Sequence, residues 1–283
     1  MSGTDQREGF FAARDNLRLF WRATEPRDAR AWVGVVHGYG EHSGRYVPLF
    51  DHLAENGIAS AAFDYRGHGQ ADGRRGHCDS FGEYLDDLDR FHARLEAEAA
   101  GRPVFLLGHS LGGLIVARWL LEAERPGLRG AIFASPFLEL ALKPSRLKVA
   151  AARLAGRVVP WLQVSNELTS DMLTRDEEMR RLVDRDPLYN RTTTPRWFEE
   201  AMAAQEQVRA GAHALRVPAL VLVAEDDSIA RPEAAVRFFE ELGAADKTLR
   251  RFPGARHELF NELPEVRRRA MDEVVAWIRE RSG

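Results

Sequence analysis

Short apolar runs alternate with helical stretches along most of the chain. The apolar runs cover residues 32–36, 58–63, 104–107, 131–133 and 219–223. Apolar residues at helical spacing follow them at 45–56, 83–99, 111–124, 232–242 and 264–280. Nearly continuous apolar strands are typical of a parallel sheet that is covered on both faces. The alternation therefore predicts an α/β fold with helices on both sides of a mostly parallel sheet.

One segment in the middle of the chain departs from this alternation. Residues 137–190 give about fifty positions without a clear strand, and a structureless loop of that length is uncommon in a compact domain. Apolar residues in this segment recur at helical spacing, at Leu147, Ala151, Leu154, Val158 and Leu162. We therefore predict a helical cap, 137–190, inserted into a core formed by 1–136 and 191–283.

The beginning of the chain carries a different signal. Apolar residues 10–11 and 17–21 flank the polar turn 14–16, which indicates a hairpin that leads into the sheet. The first residues are polar and lack the apolar segment of a secretory signal. The longest uncharged run, 103–117, is shorter than the roughly 20 apolar residues that span a bilayer. We expect a cytoplasmic protein whose membrane contact, if any, is peripheral.

Composition excludes several classes of function. The 283 residues are 45% hydrophobic and 29% charged, as in ordinary globular proteins. A formal net charge of −3 offers no basic field for nucleic acid. The single cysteine, Cys78, excludes an internal disulfide framework and a cysteine zinc cluster. We expect no metal and no other cofactor.

The strongest chemical signal follows the apolar run 104–107. Residues 108–112 are Gly-His-Ser-Leu-Gly, and a third glycine and a predicted helix come next. A sharp strand-to-helix turn of this pattern exposes a serine nucleophile, and small flanking residues relieve its crowding. The serine also lies at a helix N-terminus, where amides and the helix dipole stabilise negative charge. We predict that Ser110 is a nucleophile.

A serine nucleophile needs a general base. In α/β folds that carry this serine turn, the base comes after the serine along the chain. His213 and His257 are the histidines that follow Ser110. His257 lies in a turn between a short strand and the last helix, where a sheet edge would deliver an imidazole. His213 precedes a strand and is expected to be structural. We predict that His257 is the base.

The base in turn needs a carboxylate that orients it. This carboxylate should follow the apolar run 219–223, where Glu225, Asp226 and Asp227 are consecutive. Spacing alone leaves these three candidates open.

Acyl transfer at a serine also needs two backbone donors for the developing oxyanion. The amide of Leu111, directly after the nucleophile, would supply one. Residues 37–40, His-Gly-Tyr-Gly, follow the apolar run 32–36, and their glycines permit close backbone approach. We expect the second donor to be the amide of Tyr39. The loop lacks the third glycine of a dinucleotide-binding fingerprint, so it is not interpreted as a phosphate loop.

These motifs resemble those of monoacylglycerol lipases and lysophospholipases, in the serine aminopeptidase-like branch of the α/β-hydrolase superfamily. The resembling segments are 37–46, 64–69, 75–77, 80–81, 108–113 and 253–258, with Tyr84. The resemblance implies an α/β-hydrolase fold with a helical cap. It also favours Asp227, because the family has an aliphatic residue two positions after its acid. Ile229 stands two positions after Asp227 and fits this pattern, whereas Ser228, two positions after Asp226, does not. Arg66 and His68 are expected to form a polar network that holds the oxyanion loop.

The resemblance further implies contacts with the substrate. Glu41 and Arg45 would bind the glycerol head group; the alternative is a simple i,i+4 ion pair. His109 is expected to bind the substrate and to pack behind the serine turn. Val183 stands where monoacylglycerol lipases commonly carry a cap tyrosine, which puts strict specificity for glycerol esters in doubt.

The implied activity is hydrolysis, through an acyl-enzyme on Ser110, of carboxylic esters of single-chain acyl lipids, above all monoacylglycerols. The alternatives are a lysophospholipase, a short- or medium-chain carboxylesterase, a peptidase or amidase, and a non-catalytic ligand-binding protein. Residues 140–166 contain no acidic residue, and their basic residues are Lys143, Arg146, Lys148, Arg153 and Arg157. This basic segment either touches an anionic membrane surface or is a solvated face.

Overall fold

The fold is built around one large sheet. A computed structural model describes residues 3–141, 155–156 and 158–282. The strands within these residues are β1 (Thr4–Ala12), β2 (Arg18–Pro26), β3 (Ala31–Val36), β4 (Ile58–Asp64), β5 (Val104–His109), β6 (Leu128–Ala134), β7 (Val164–Ser165), β8 (Thr192–Thr193), β9 (Ala219–Ala224) and β10 (Lys247–Phe252). Eight of them form the sheet in the order β1-β2-β4-β3-β5-β6-β9-β10, and β7 pairs with β8 separately.

Strand directions place the carboxyl ends of the central strands at one edge of the sheet. β1 and β2 form the hairpin predicted at the start of the chain, and β2 joins β4 in antiparallel fashion. All pairings from β4 to β10 are parallel. Loops that follow β3, β5, β9 and β10 therefore emerge next to one another, which is where catalytic residues collect in such sheets.

Helices cover both faces of the sheet. Those with described bounds are α1 (Val47–Glu55), α2 (Gly82–Ala99), α3 (Leu111–Glu122), α4 (Ser170–Leu173), α5 (Glu177–Arg185), α6 (Pro195–Gly211), α7 (Pro232–Glu241) and α8 (Pro264–Arg281). Residues of α1 and α8 pack with Val33 and Val35 on one face. Residues of α2, α3, α6 and α7 pack with Trp32 and Val36 on the other. The predicted α/β architecture is confirmed.

Helix α6 is absent from the sequence prediction. Its first turn is stabilised by Thr194, whose hydroxyl accepts a hydrogen bond from the Trp197 amide at 3.3 Å, and by Pro195 at the first helical position. Trp197, Ala201, Ala204 and Val208 are buried. The Thr-Pro start and this helical spacing are the signals that would have located the helix.

The segment between β6 and α6 contains β7, α4, α5 and β8. Within the predicted cap helix, Leu147, Ala151 and Leu154 lie outside the described residues, whereas Val158 and Leu162 are exposed. The bounds 137–190 for a cap stay a prediction. No helix in the described part of the chain combines the length and apolar character needed to cross a membrane.

Candidate active site

Ser110 lies at the turn between β5 and α3. Its backbone has φ 52° and ψ −118°, a left-handed conformation that side chains rarely adopt. The turn is tight because Gly112 approaches the carbonyl of Val36 and Gly108 approaches Gly112 itself, so that a Cβ at either glycine would collide with backbone. The glycines of the motif therefore allow the serine to occupy its strained position above the sheet.

The loops after β9 and β10 bring a histidine and a carboxylate to this serine. His257 Nε2 lies 2.7 Å from Ser110 Oγ, and His257 Nδ1 lies 2.6 Å from Asp227 Oδ2. Asp227 Oδ1 accepts hydrogen bonds from the amides of Ile229 at 2.8 Å and Ala230 at 3.0 Å. All three side chains are buried. The arrangement can transfer a proton from the serine to an imidazole whose tautomer the carboxylate fixes.

The other two carboxylates of the acidic run point elsewhere. Asp226 is exposed, and its amide donates to the carbonyl of Ala255 at 3.0 Å. Glu225 forms an ion pair with Arg251 at 2.5 Å. The structure thus places Asp227 alone of the three beside His257.

Burial and charge act in opposite directions on the two site histidines. Burial by itself would lower the pKa of His257, but the charge of Asp227 and its hydrogen bond outweigh burial and raise that pKa above its ordinary value. Burial lowers the pKa of His109 to about 4, although the carboxylate of Glu41 opposes this shift. His109 is therefore neutral near pH 7, and its ring centroid lies 4.9 Å from that of His257.

The predicted oxyanion donors lie close to Ser110. A Cβ on Gly38 would lie 3.1 Å from the Cβ of Ser110, so the Gly38–Tyr39 backbone runs directly past the serine. No backbone carbonyl of the described residues accepts a hydrogen bond from the amide of Tyr39 or Leu111. Both amides are therefore available to a substrate oxygen.

The loop that carries Tyr39 is also held by the chain that enters α6. The Tyr39 hydroxyl donates to the carbonyl of Thr192 at 2.6 Å, and its ring packs on Trp197 with centroids 4.0 Å apart. The Asn190 amide donates to the carbonyl of Gly40 at 2.6 Å. Sequence reasoning missed these partners, because none of them belongs to a catalytic motif.

A buried charged cluster lies beside the serine and consists of Glu41, Arg45 and Glu258. Arg45 Nε lies 3.4 Å from Glu41 Oε2, and its Nη2 pairs with Glu258. Glu41 also accepts hydrogen bonds from the Gly38 amide and, at 2.8 Å, from the Tyr46 hydroxyl. The i,i+4 ion pair thus exists within a larger cluster, and Glu41 and Glu258 both line the cavity above Ser110. Glu258 was missed, although it directly follows His257 in the chain.

The two glutamates of this cluster respond differently to burial. Burial raises the pKa of Glu258 above its usual value, although Arg45 opposes the shift. Burial also favours the neutral form of Glu41, but His109 and Arg45 outweigh it and lower the pKa of that carboxyl. Glu41 is therefore an anion close to the serine.

The cavity above Ser110 is lined mostly by apolar side chains, together with a group of polar ones. Side chains that form its apolar wall include Phe137, Leu140, Leu168, Leu173, Trp197 and Ile229. The polar side chains that line it include Ser110, His257, Glu41, Glu258 and His109. Val183 is fully buried against Leu173, behind this wall. Within the described residues, no group of three or more His, Cys, Asp or Glu side chains could hold a metal ion.

The side chain of Arg66, predicted to support the oxyanion loop, makes its hydrogen bonds to other parts of the fold. Arg66 Nη2 donates to the buried Asp87 at 2.7 Å, and its Nη1 donates to Asp15 at 2.9 Å, so its charge is directed towards α2 and the hairpin turn. His68 does contact the loop, with its ring centroid 5.1 Å from that of Tyr39. Arg66 is therefore structural, as predicted, but its side chain holds α2 and the hairpin turn rather than the oxyanion loop, because a buried carboxylate on α2 attracts its guanidinium.

Sheet order, the serine turn after β5 and the histidine after β10 define the chain as an α/β-hydrolase. The family model "Serine aminopeptidase, S33" matches residues 27–264, and the chain belongs to this family. The resemblance predicted from the motifs and the predicted fold class are both confirmed.

Curated relatives and a solved structure extend this result. Human monoglyceride lipase is 34% identical over 274 residues, which cover 95% of this chain and 89% of that protein. Phospholipase YtpA of Bacillus subtilis is 33% identical over 243 residues, which cover 86% of this chain and 92% of that protein. The crystal structure of Paleococcus ferrophilus monoacylglycerol lipase aligns with a TM-score of 0.80 at 34% identity and covers 96% of this chain and 98% of that one.

Proposed function

We propose that this protein hydrolyses carboxylic esters of single-chain acyl lipids and that monoacylglycerols are its preferred substrates. The observation that carries the proposal is the hydrogen-bonded series Ser110–His257–Asp227 beside a mostly apolar cavity. The likeness to the human and Paleococcus ferrophilus monoacylglycerol lipases supports the choice of substrate.

The proposed reaction proceeds in two halves. His257 accepts the Ser110 proton as Oγ attacks the ester carbonyl, and the amides of Tyr39 and Leu111 stabilise the resulting oxyanion. Asp227 keeps Nδ1 of the imidazole protonated and stabilises its cation. When the tetrahedral intermediate collapses, His257 donates its proton to the leaving glycerol oxygen. Water, deprotonated by the same histidine, then attacks the acyl-enzyme and releases the fatty acid and free Ser110.

The apolar part of the cavity would hold the acyl chain. Each methylene buried there contributes ~0.8 kcal/mol to binding. Leu140, Leu168 and Leu173, which line the cavity, all belong to segment 137–190. Their position supports the proposal that this segment is a cap over the core formed by 1–136 and 191–283.

The charged cluster would bind the head group and discriminate among lipids. Glu41 and Glu258 face the cavity, and the charge of Arg45 is already shared between them. Carboxylate oxygens and the neutral His109 can bind the hydroxyls of glycerol, whereas two carboxylates against one guanidinium repel a phosphate. Lysophospholipid hydrolysis is the second candidate function, because YtpA is a phospholipase. The charge of the cluster favours monoacylglycerol over it.

A substrate panel tests the proposal. We expect faster hydrolysis of monoacylglycerols of graded chain length than of lysophosphatidylcholine or aminoacyl amides, with nitrophenyl esters as a reference. Ser110→Ala is the matched control and should neither turn over esters nor react with a fluorophosphonate probe. Faster cleavage of lysophosphatidylcholine would favour the second candidate, and faster cleavage of amides would favour a peptidase. A wild-type protein that the probe does not label would contradict the hydrolase proposal.

Peripheral contact with a lipid surface is part of the proposed function. Exposed apolar side chains occur together in one stretch of segment 137–190, at Val158, Trp161, Leu162 and Val164. The basic residues Lys143, Arg146, Lys148, Arg153 and Arg157 lie outside the described residues. Apolar side chains next to basic ones are typical of interfacial binding. A cytoplasmic location stays a prediction.

Liposome co-sedimentation checks this contact. We expect the protein to bind anionic vesicles at low salt and to dissociate as the ionic strength rises, because salt screens charge attraction. The double variant Trp161→Ser/Leu162→Ser should bind more weakly, and neutral vesicles are the control. No binding to anionic vesicles at low salt would rule the contact out.

A further inference from the structure

We propose that the hydroxyl of Tyr65 is a positioning group for the oxyanion hole: it holds the Gly38–Tyr39 peptide so that the Tyr39 amide faces the site of reaction at Ser110. This role rests on the proposed function, since it concerns the stabilisation of an oxyanion during ester hydrolysis. Tyr65 belongs to the motif 64–69, but sequence reasoning gave it no role.

The sheet brings Tyr65 to the oxyanion loop. Tyr65 directly follows β4, and β4 pairs in parallel with β3, which the loop follows. Both segments therefore leave the sheet at the same edge. The Tyr65 hydroxyl donates a hydrogen bond of 2.7 Å to the carbonyl oxygen of Gly38, and its side chain is fully buried.

A second donor acts on the same carbonyl. His37 Nδ1 lies 2.8 Å from the Gly38 oxygen, and the His37 ring stacks on Tyr65 with centroids 4.1 Å apart and an interplanar angle of 17°. Burial lowers the pKa of His37, so the imidazole is neutral and donates through Nδ1. Two stacked aromatic side chains thus converge on one oxygen of the loop.

Fixing this oxygen fixes the oxyanion donor. The Gly38–Tyr39 peptide is trans, so its C=O and its N–H point in opposite directions. Rotation of the peptide plane would break both hydrogen bonds to the Gly38 oxygen and would turn the Tyr39 amide away from the serine. Glycines flank Tyr39 on both sides, and their backbone freedom makes an external hold on the loop necessary.

Tyr65→Phe isolates the hydroxyl from the ring. The ring packs on His68 and Tyr84 at centroid distances of 4.5 and 5.1 Å, and phenylalanine retains this packing. The Gly38 oxygen keeps its bond from His37, so the variant leaves no bare buried acceptor. Loss of a whole oxyanion donor lowers kcat by about 10²–10³-fold. A donor that is present but less well aimed should lower kcat by about tenfold, with KM almost unchanged.

Tyr84→Phe is the matched control. Tyr84 is a fully buried tyrosine of the same aromatic cluster, and its hydroxyl interacts with the Cys78 thiol and makes no hydrogen bond to the oxyanion loop within the described residues. Removing that hydroxyl tests the general effect of losing a buried polar group near the site. We expect Tyr84→Phe to keep the kcat of the wild type.

The experiment compares kcat, KM and inhibitor affinity for the wild type and both variants, after active-site titration with a fluorophosphonate. An alkyl trifluoromethyl ketone forms a tetrahedral oxyanion with a catalytic serine. The matching methyl ketone occupies the same cavity, but the serine does not add to its carbonyl. We expect Tyr65→Phe to weaken the binding of the trifluoromethyl ketone by about tenfold, the same factor as its loss of kcat. Its affinity for the methyl ketone should not change.

Three outcomes would overturn the proposal. The first is an equal kcat in the two variants, and the second is an unchanged affinity of Tyr65→Phe for the trifluoromethyl ketone. The third is an equal loss of affinity for both ketones, which would indicate a distorted cavity. Failure of the proposed function can be told apart from failure of the Tyr65 proposal alone, because the wild type itself would then lack esterase activity. The proposed role of Tyr65 would be wrong in that case too.

Discussion

Replacing Asp227 by asparagine is expected to lower kcat on ester substrates by about 10,000-fold, as loss of the acid does in other serine triads. The amide keeps the size of the carboxylate but presents no charge to His257 Nδ1, so the imidazole loses its fixed tautomer and its stabilised cation. Steady-state hydrolysis of a monoacylglycerol measures the effect. Asp226→Asn is the matched control, because the neighbouring side chain is exposed and should leave kcat near that of the wild type.

The pH profile gives this prediction a second measurement. Asp227 raises the pKa of His257 against the effect of burial, so the acid limb of kcat/KM in the wild type should lie above the ordinary histidine value of about 6.5. Without the carboxylate charge, burial prevails and the residual activity of Asp227→Asn should persist to lower pH. Loss of activity in Asp226→Asn alone would contradict the assignment of the acid.

The fold was largely accessible from sequence because its core strands are apolar throughout. The runs 32–36 and 219–223 became β3 and β9 with small changes at their ends. Helix α6 escaped prediction because its mixed surface hides the buried positions Trp197, Ala201 and Ala204 among charged residues. Burial against α3 and the apolar wall of the cavity, rather than an apolar run, determines that helix.

The site was accessible only where chemistry is encoded locally. Ser110 was predictable because its turn demands glycines at fixed positions, and these are visible in the chain. Spacing did not separate Asp227 from Glu225 and Asp226, because the choice depends on which carboxylate the folded turn directs at His257, 30 residues further along the chain. Tyr65 and Glu258 were missed because their partners Gly38 and Arg45 lie far away in sequence.

Replacing Arg45 by methionine is expected to lower the free energy of unfolding by about 3–5 kcal/mol at pH 7, the usual loss when one partner of a buried ion pair is removed. Arg45 is the cation between Glu41 and Glu258, and all three side chains are buried. Methionine fills the space but leaves two carboxylates in a region of low dielectric without a countercharge. Urea unfolding at equilibrium measures the difference.

The loss should depend on pH with a defined sign. Burial already places the pKa of Glu258 above its usual value, and a carboxyl shifted upwards in the folded state favours folding below its unfolded pKa and loses that contribution as pH rises. Removal of Arg45 increases this upward shift, so the destabilisation should shrink as the pH falls from 7 towards 5 and the carboxyl becomes protonated. Arg14→Met is the control, because Arg14 is exposed and pairs at the surface with Asp86 and the partly exposed Asp89, and such surface pairs contribute about 0–1 kcal/mol. Equal losses in the two variants, or a loss from Arg45→Met that does not change between pH 7 and 5, would show that the cluster is not held together by this one cation.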